Sequence, residues 1–405
     1  MRSVVVKKVP NALVLALALT AVHVVHVSPA HTQTPGEGSP PRPDQAVIQP
    51  AIDSIFDAFK THPLVGLSDK HGLAQEMELY QALMRDPRFA RNVGNVVVEF
   101  GGAARQDVID RYVNGENVPY QVLRQVWTDT VGWLPTVQYL GYAQFFDQVR
   151  QTNSMLPPQE RIRVWLGEPP IDWATIRTRD DYLKFLAAHP SRDGHAAGLI
   201  IQNILARNEK ALVIYGGQHF GRLSAEEKAL RAEWAKADPK NAQPPVLSLQ
   251  GLVEEEHPDA FFIAQVYDGF DDACTPRFEQ GIRNWPMPVL ATPVRGTTLE
   301  KDMRLCRSQA NIMFNFPSSM PQALQNLLRA QANDVLFRGD GILFLGPATS
   351  LTRSPLFPDL YLDEQYRQEI SRQVEIKMGR RLPPEWGRES TVAPPAFRLK
   401  PSTGK

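Results

Sequence analysis

The stretch that most constrains this chain is Lys210-Ala-Leu-Val-Ile-Tyr-Gly-Gly-Gln-His219. An apolar run from Ala211 to Tyr215 passes straight into two glycines and a histidine. A run this short and this uniformly apolar suits a strand buried on both faces of a parallel sheet. The glycines let the backbone turn sharply or come close to a ligand. His219 then falls just past the carboxyl end of the strand, where open α/β sheets place their ligands. Pro63 to Gly72 has the same form: a short strand, a polar turn carrying Ser68 and Asp69, and His71 at the mouth of a helix. Between them Val96-Val97-Val98 reads as a strand that ends in Glu99. Three strand ends thus supply His71, Glu99 and His219.

Further apolar runs at 162–166, 261–267 and 341–346 read as strands. Helical spacing of apolar residues appears at 51–60, 72–84, 196–206 and 361–378, with Ser191 or Asp193 as the cap of the third. Residues 116–160 read as mostly helical, with Val122, Val126, Val131, Trp133, Leu134, Phe145 and Phe146 as core. Strands and helices that alternate this way predict an α/β fold, a largely parallel central sheet flanked by helices. We place the main domain at 48–268. A C-terminal elaboration packed on the same sheet follows at 269–382, irregular over 268–330 except for a helix at 321–330. A loose tail rich in Pro, Arg, Ser and Thr closes the chain at 383–405.

The chain has 405 residues, 43% of them hydrophobic, enough for one large domain or two ordinary ones. Its formal charge is zero, which gives no support to nucleic acid or an anionic membrane surface as partner. Arg2, Lys7 and Lys8 precede an apolar segment from Ala12 to Val27 and the small residues Ser28-Pro-Ala30. This pattern predicts a secretory signal peptide over 1–30, an exported protein with no stable membrane span once it is cleaved, and a flexible spacer over 31–47. In an oxidising compartment Cys274 and Cys306 are either a disulfide or two buried thiols. A disulfide there would contribute roughly 3–4 kcal/mol in the chain-entropy model.

Two neutral imidazoles and one or two carboxylates can hold a divalent metal, or can act as acid and base on a water. His71, Glu99 and His219 are therefore the catalytic candidates and the metal-ligand candidates. Ser68, Asp69, Glu168, Asp172, Arg192 and Asp193 are the supporting or rim residues. A carboxylate placed directly after Val-Val-Val needs a partner, because an unpaired buried charge is costly; Arg105 and Arg192 are the arginines available. Asp69 stands where it can orient His71. His195 and His257 lie in polar surroundings and read as solvent-facing. No Gly-x-Ser-x-Gly elbow, P-loop or Gly-x-Gly-x-x-Gly after the first strand is present, which leaves α/β-hydrolase and nucleotide-binding readings without motif support.

The order strand-x-x-His71-Gly72, Val-Val-Val-Glu99, then Val-Ile-Tyr-Gly-Gly-Gln-His219 resembles the erythromycin esterase/ChaN/Tiki superfamily over about residues 50–268. Arg192-Asp193 ahead of the second histidine fits the same pattern. The resemblance implies an erythromycin esterase/ChaN-like fold. It also implies water activation by His71, Glu99 and His219 on an ester, amide or peptide substrate. Other branches imply a divalent metal, or haem bound without turnover, with His219 or Tyr215 as axial donor. One departure matters. The superfamily commonly carries Gly-Glu-x-x-His at the first motif, whereas this chain has Ser68 in the glutamate position, with Asp69 beside it. Serine is a poor metal ligand and no base at neutral pH.

Overall fold

Eight strands line up in one sheet: β1 (Val47–Pro50), β2 (Leu64–Asp69), β3 (Gly94–Gly102), β4 (Arg163–Glu168), β5 (Lys210–Gly216), β6 (Phe261–Gln265), β7 (Val289–Thr292) and β8 (Gly341–Phe344). Their order across the sheet is β1-β7-β8-β6-β2-β5-β3-β4. The run from β8 to β4 is parallel throughout, while β7 pairs antiparallel with both β1 and β8. The protein is therefore α/β with a mixed, mostly parallel sheet. The computed structural model describes residues 45–132, 138–189, 191–242, 245–267, 274–306, 316–332 and 339–379. The expected signal peptide, the spacer up to residue 44, the tail at 383–405, Trp133 and Leu134 lie outside the described residues.

The central strands are apolar on both faces because helices cover both. On one face Val65, Leu67, Leu212 and Ile214 meet Met77, Tyr80, Leu83 and Met84 of helix Ala74–Arg85 and Tyr142, Phe145 and Phe146 of helix Leu140–Ser154. On the other, Leu64, Ala211, Val213 and Tyr215 meet Ala196, Ala197 and Ile200 of helix Arg192–Asn203 and Leu249 and Val253 of helix Leu249–Glu256. Every side chain named in these two layers is buried. This double burial erases the polar alternation of a half-exposed strand and leaves the continuous apolar runs seen in the sequence.

Several expectations are corrected. β3 does not stop at Glu99; it continues to Gly102, with its register against β4 broken between Val98 and Gly102. Glu99 therefore sits inside the strand. The segment read as irregular contains helices Thr275–Ile282 and Thr298–Leu305 with β7 between them. The last helix is two, Asp359–Leu362 and Glu364–Met378, because Asp363 accepts from Tyr366 N and caps the second. Cys274 and Cys306 are joined by a disulfide. Among the described residues no helix is long and apolar enough to cross a membrane.

Candidate functional site

The parallel strands β2, β5, β3 and β4 end at one edge of the sheet, and each delivers a polar group there. β2 ends in Asp69, with His71 two residues on; β5 ends in Gly216, with His219 in the short 3-10 turn Gly217–His219; β3 carries Glu99 and β4 ends in Glu168. Ser191 caps helix Arg192–Asn203 by accepting from Gly194 N at 2.8 Å. That frees Asp193 for another task and brings Arg192 over the edge.

Glu99 is the hub. Its Oε1 lies 3.2 Å from His219 Nε2 and accepts from Arg192 Nη2 at 3.0 Å. Its Oε2 accepts from Gly216 N at 2.6 Å and lies 3.9 Å from His71 Nε2. Each histidine is held from behind by an aspartate. His71 Nδ1 is 2.7 Å from Asp69 Oδ2, and His219 Nδ1 bonds Asp193 Oδ1. Asp69 is itself fixed by the hydroxyls of Tyr80 at 3.1 Å and Tyr142 at 2.5 Å. Asp193 accepts from Leu249 N at 3.1 Å through its other oxygen. Gly216 has to be glycine here: a Cβ would stand 2.8 Å from His71 Nε2 and 3.1 Å from Glu99 Oε2.

The electrostatics follow from this packing. Burial alone would lower the His71 pKa, but the hydrogen bond and charge of Asp69, then the charge of Glu99, raise it to about 9. Burial opposes protonation of His219 as well; Asp193 and Glu99 overcome it and raise its pKa to about 10. Burial would raise the Glu99 pKa, yet the His219 hydrogen bond and the charges of His71, His219 and Arg192 hold it far below the usual carboxylate range. At neutral pH His71, Glu99 and His219 all carry charge.

The remaining sequence candidates divide clearly. Asp69, Arg192 and Asp193 belong to the cluster, and Glu168 joins it through Arg192, whose Nε donates to Glu168 Oε1 at 2.9 Å. Asp172 does not join; it pairs with Arg105 at 3.3 Å, and Arg105 also binds Asp129 rather than Glu99. Ser68 is buried with its hydroxyl lacking a hydrogen-bond partner, on the sheet face opposite Asp69. His195 is not solvent-facing, since its Nε2 is buried and unbonded. His257 is half-buried. Tyr80 and Tyr142 went unread because a tyrosine on a helical apolar face looks like core until its hydroxyl is placed.

The donor set does not fit a divalent metal. A carboxylate behind each imidazole suits a metal ligand or a general base alike. Arg192 decides between them: its guanidinium puts a permanent positive charge on Glu99, and Glu99 already accepts three donors. Among the described residues no three His, Cys, Asp or Glu side chains converge as ligands. Haem fares no better. Both ring nitrogens of His219 are engaged, and the Tyr215 hydroxyl is buried where a Cβ on Gly167 would meet it at 1.9 Å.

A cavity of about 630 Å³ lies away from this edge, near the amino ends of β2, β6 and β8. There Arg222 is bound between two carboxylates, Glu254 and Asp340.

No family model and no curated protein matches this chain. Among solved structures it is similar to the type III effector HopBA1, at 14% identity and a TM-score of 0.29 over 56% of this chain and 89% of that one. It is also similar to a Bacillus cereus protein, at 12% identity and a TM-score of 0.42 over 74% of this chain and 94% of that one. At these scores neither likeness bears on the site.

Proposed function

We propose that the chain is an exported hydrolase in which the cluster of His71, Glu99 and His219 activates a water against an ester or amide, as the erythromycin esterase/ChaN/Tiki resemblance implies. One observation carries the reading. Two imidazoles, each anchored through Nδ1 by an aspartate, turn Nε2 toward a single ionised glutamate. The 3.9 Å between His71 Nε2 and Glu99 Oε2 is too long for a hydrogen bond. A water at about 2.8 Å from both atoms would bridge them with a near-right angle at its oxygen. Neutral His71 takes the proton of that water, and Asp69 stabilises the imidazolium formed. The partly exposed guanidinium of Arg192 faces the carbonyl oxygen, while His219 keeps Glu99 in place. Among the described residues of 269–382, β7 and β8 extend the sheet, and no side chain bonds His71, Glu99 or His219 directly.

The full complement of donors on Glu99 favours a second reading, a charge network without turnover. A screen of the mature protein against 4-nitrophenyl esters and peptide amides from pH 7 to 10 separates the two. Turnover is expected to rise as His71 loses its proton near pH 9. It is expected to survive EDTA and to fall about 100-fold or more in His71→Gln and Glu99→Gln. Full activity in both variants sinks the hydrolase assignment.

A further inference from the structure

Lys377, on helix Glu364–Met378, comes from a part of the chain the catalytic reading does not use. Its Nζ donates to Thr130 O at 2.8 Å and to Gly132 O at 2.6 Å. It lies 5.0 Å from the centroid of the Trp173 ring. Few lysines give up water to bond two backbone carbonyls, because the ammonium is strongly hydrated.

The turn it grips has a second set of bonds on its other side. Val131 N and Gly132 N donate to Glu168 Oε2 at 3.0 and 2.7 Å. Glu168 is almost fully buried and receives the fork of Arg192, whose Nη2 continues to Glu99 Oε1 at 3.0 Å. A Cβ on Gly132 would stand 2.6 Å from Arg192 Nη2, so the turn also packs against the guanidinium directly. The carbonyls of the turn face outward to Lys377, to Trp173 Nε1 at 3.2 Å and to the Tyr182 hydroxyl at 3.2 Å. The helix that carries Lys377 is pinned in turn: Arg179 donates to the carbonyls of Ile376 and Lys377, and Arg372 to those of Ile176 and Trp173.

We propose that Lys377 is a positioning residue for the cluster: by holding the Thr130–Gly132 turn it fixes Glu168, and through Glu168 the Arg192 guanidinium on Glu99. This rests on the reading of the cluster as a working site, but the geometry can be tested without turnover. Fixing the two amides costs Glu168 no reorganisation, and a carboxylate held by N–H groups and an arginine fork has one orientation rather than several. Without Lys377 the carbonyls of Thr130 and Gly132 lose the amine that bonds them both, and the turn is free to move off Glu168.

The test is amide hydrogen exchange on the full mature chain, wild type against Lys377→Met. Protection of Val131 and Gly132 is expected to fall about tenfold or more, while sheet amides at Val97 and Val213 keep theirs. The Arg192 Nε–H resonance is expected to be sharp and slow to exchange in the wild type and to broaden or vanish in Lys377→Met. Lys377→Arg is expected to restore most of the protection. Unchanged exchange at Val131 and Gly132 overturns the proposal, and so does an equal loss at all four amides, which would mark general destabilisation. Should the methionine variant not fold, Lys377→Gln is read the same way. If the wild type shows no hydrolysis but these shifts appear, the hydrolase reading fails and the positioning role stands; kcat reduced at constant KM in Lys377→Met joins the two.

Discussion

The two histidine arms of the cluster share a plan and differ in how they are closed. Both run from an aspartate through Nδ1 to Nε2 and on to Glu99. The His219 arm is shut: its Nε2 touches Glu99 at 3.2 Å, and Arg192 locks the same oxygen. The His71 arm is open, with 3.9 Å to Glu99 and about twice the side-chain exposure, 27% against 14%. Their anchors differ in the opposite sense. Asp69, behind the open arm, is buried and receives two tyrosine hydroxyls besides the imidazole. Asp193, behind the closed arm, is part-exposed and receives one backbone amide. A rigid anchor behind a gap and a softer anchor behind a contact is what a base with room for water needs; a purely structural ion pair would close both gaps.

The largest effect that can break this comparison is in the anchors. Asp69→Asn leaves two tyrosine donors and a protonated His71 facing a neutral amide in a buried site. We expect it to cost about 3–5 kcal/mol, as breaking one side of a buried pair does. Asp193→Asn, part-exposed and with fewer donors, is expected to cost about 1–2 kcal/mol. Urea unfolding measures both. Equal losses would show that the two arms are equivalent, and the distinction drawn from burial would fall.

Next in size is the pH dependence. The folded-state pKa values of about 9 for His71 and about 10 for His219 stand above their ordinary 6.5. Between those limits the folded state binds more protons than the unfolded one, so stability falls as pH rises. The stabilisation is complete below about pH 6.5 and is lost as pH rises through 9 to 10. The Glu99 shift has the opposite sign: its contribution is present above its ordinary value and is lost as pH falls below it. Urea midpoints at pH 7 and 10 test the alkaline limb, and His219→Gln should flatten it more than any other change to the closed arm. A midpoint that does not move between the two pH values would break the assignment of charge to these imidazoles.

Much of this was legible in the sequence, and what was not has identifiable causes. The apolar runs at 64–67, 96–98 and 211–215 announce buried strands because helices cover both faces, and His71 and His219 follow the ends of two of them by two and three residues. β7 hides between Pro288 and Pro293, and β1 offers only Val47 and Ile48 before a proline; strands of four residues carry too little pattern to read. Glu99 looks like a strand terminus because a charge inside a buried strand is normally too costly, and only the remote Arg192 and His219 make it affordable. The Asp69–His71 link is local and was expected. The Asp193–His219 and Glu168–Arg192 links join residues 26 and 24 positions apart and depend on tertiary packing. Gly216 lies between these cases. Its sequence position suggests a turn, and the structure shows a steric reason, the imidazole and carboxylate standing where a Cβ would go. Gly216→Ala is therefore expected to push His71 outward, to cost about 2 kcal/mol by overpacking, and to leave the His219 arm in place. NMR titration of both imidazoles checks it; a change at His219 alone would mean the crowding had been relieved on the wrong arm.

The smallest effect is the most discriminating. Tyr142 and Tyr80 both donate to Asp69, but to different oxygens: Tyr142 shares Oδ2 with His71, while Tyr80 has Oδ1. Tyr142→Phe removes a donor that competes with the imidazole and leaves no unpaired group behind, because the ring still stacks on Phe100 at 4.2 Å. The cost to stability is about 1 kcal/mol, the net worth of one hydrogen bond replaced by a ring of the same shape. Freed of the competitor, Oδ2 holds the His71 proton more firmly, so His71 should titrate at higher pH than in the wild type. Tyr80→Phe, which leaves Oδ2 untouched, should shift it less. Imidazole titrations of the two variants decide the matter. A downward shift in Tyr142→Phe, or an equal shift in both, would mean that Asp69 acts on His71 as a diffuse charge and not through one shared oxygen, and the open arm would lose the directionality that suits it to act on water.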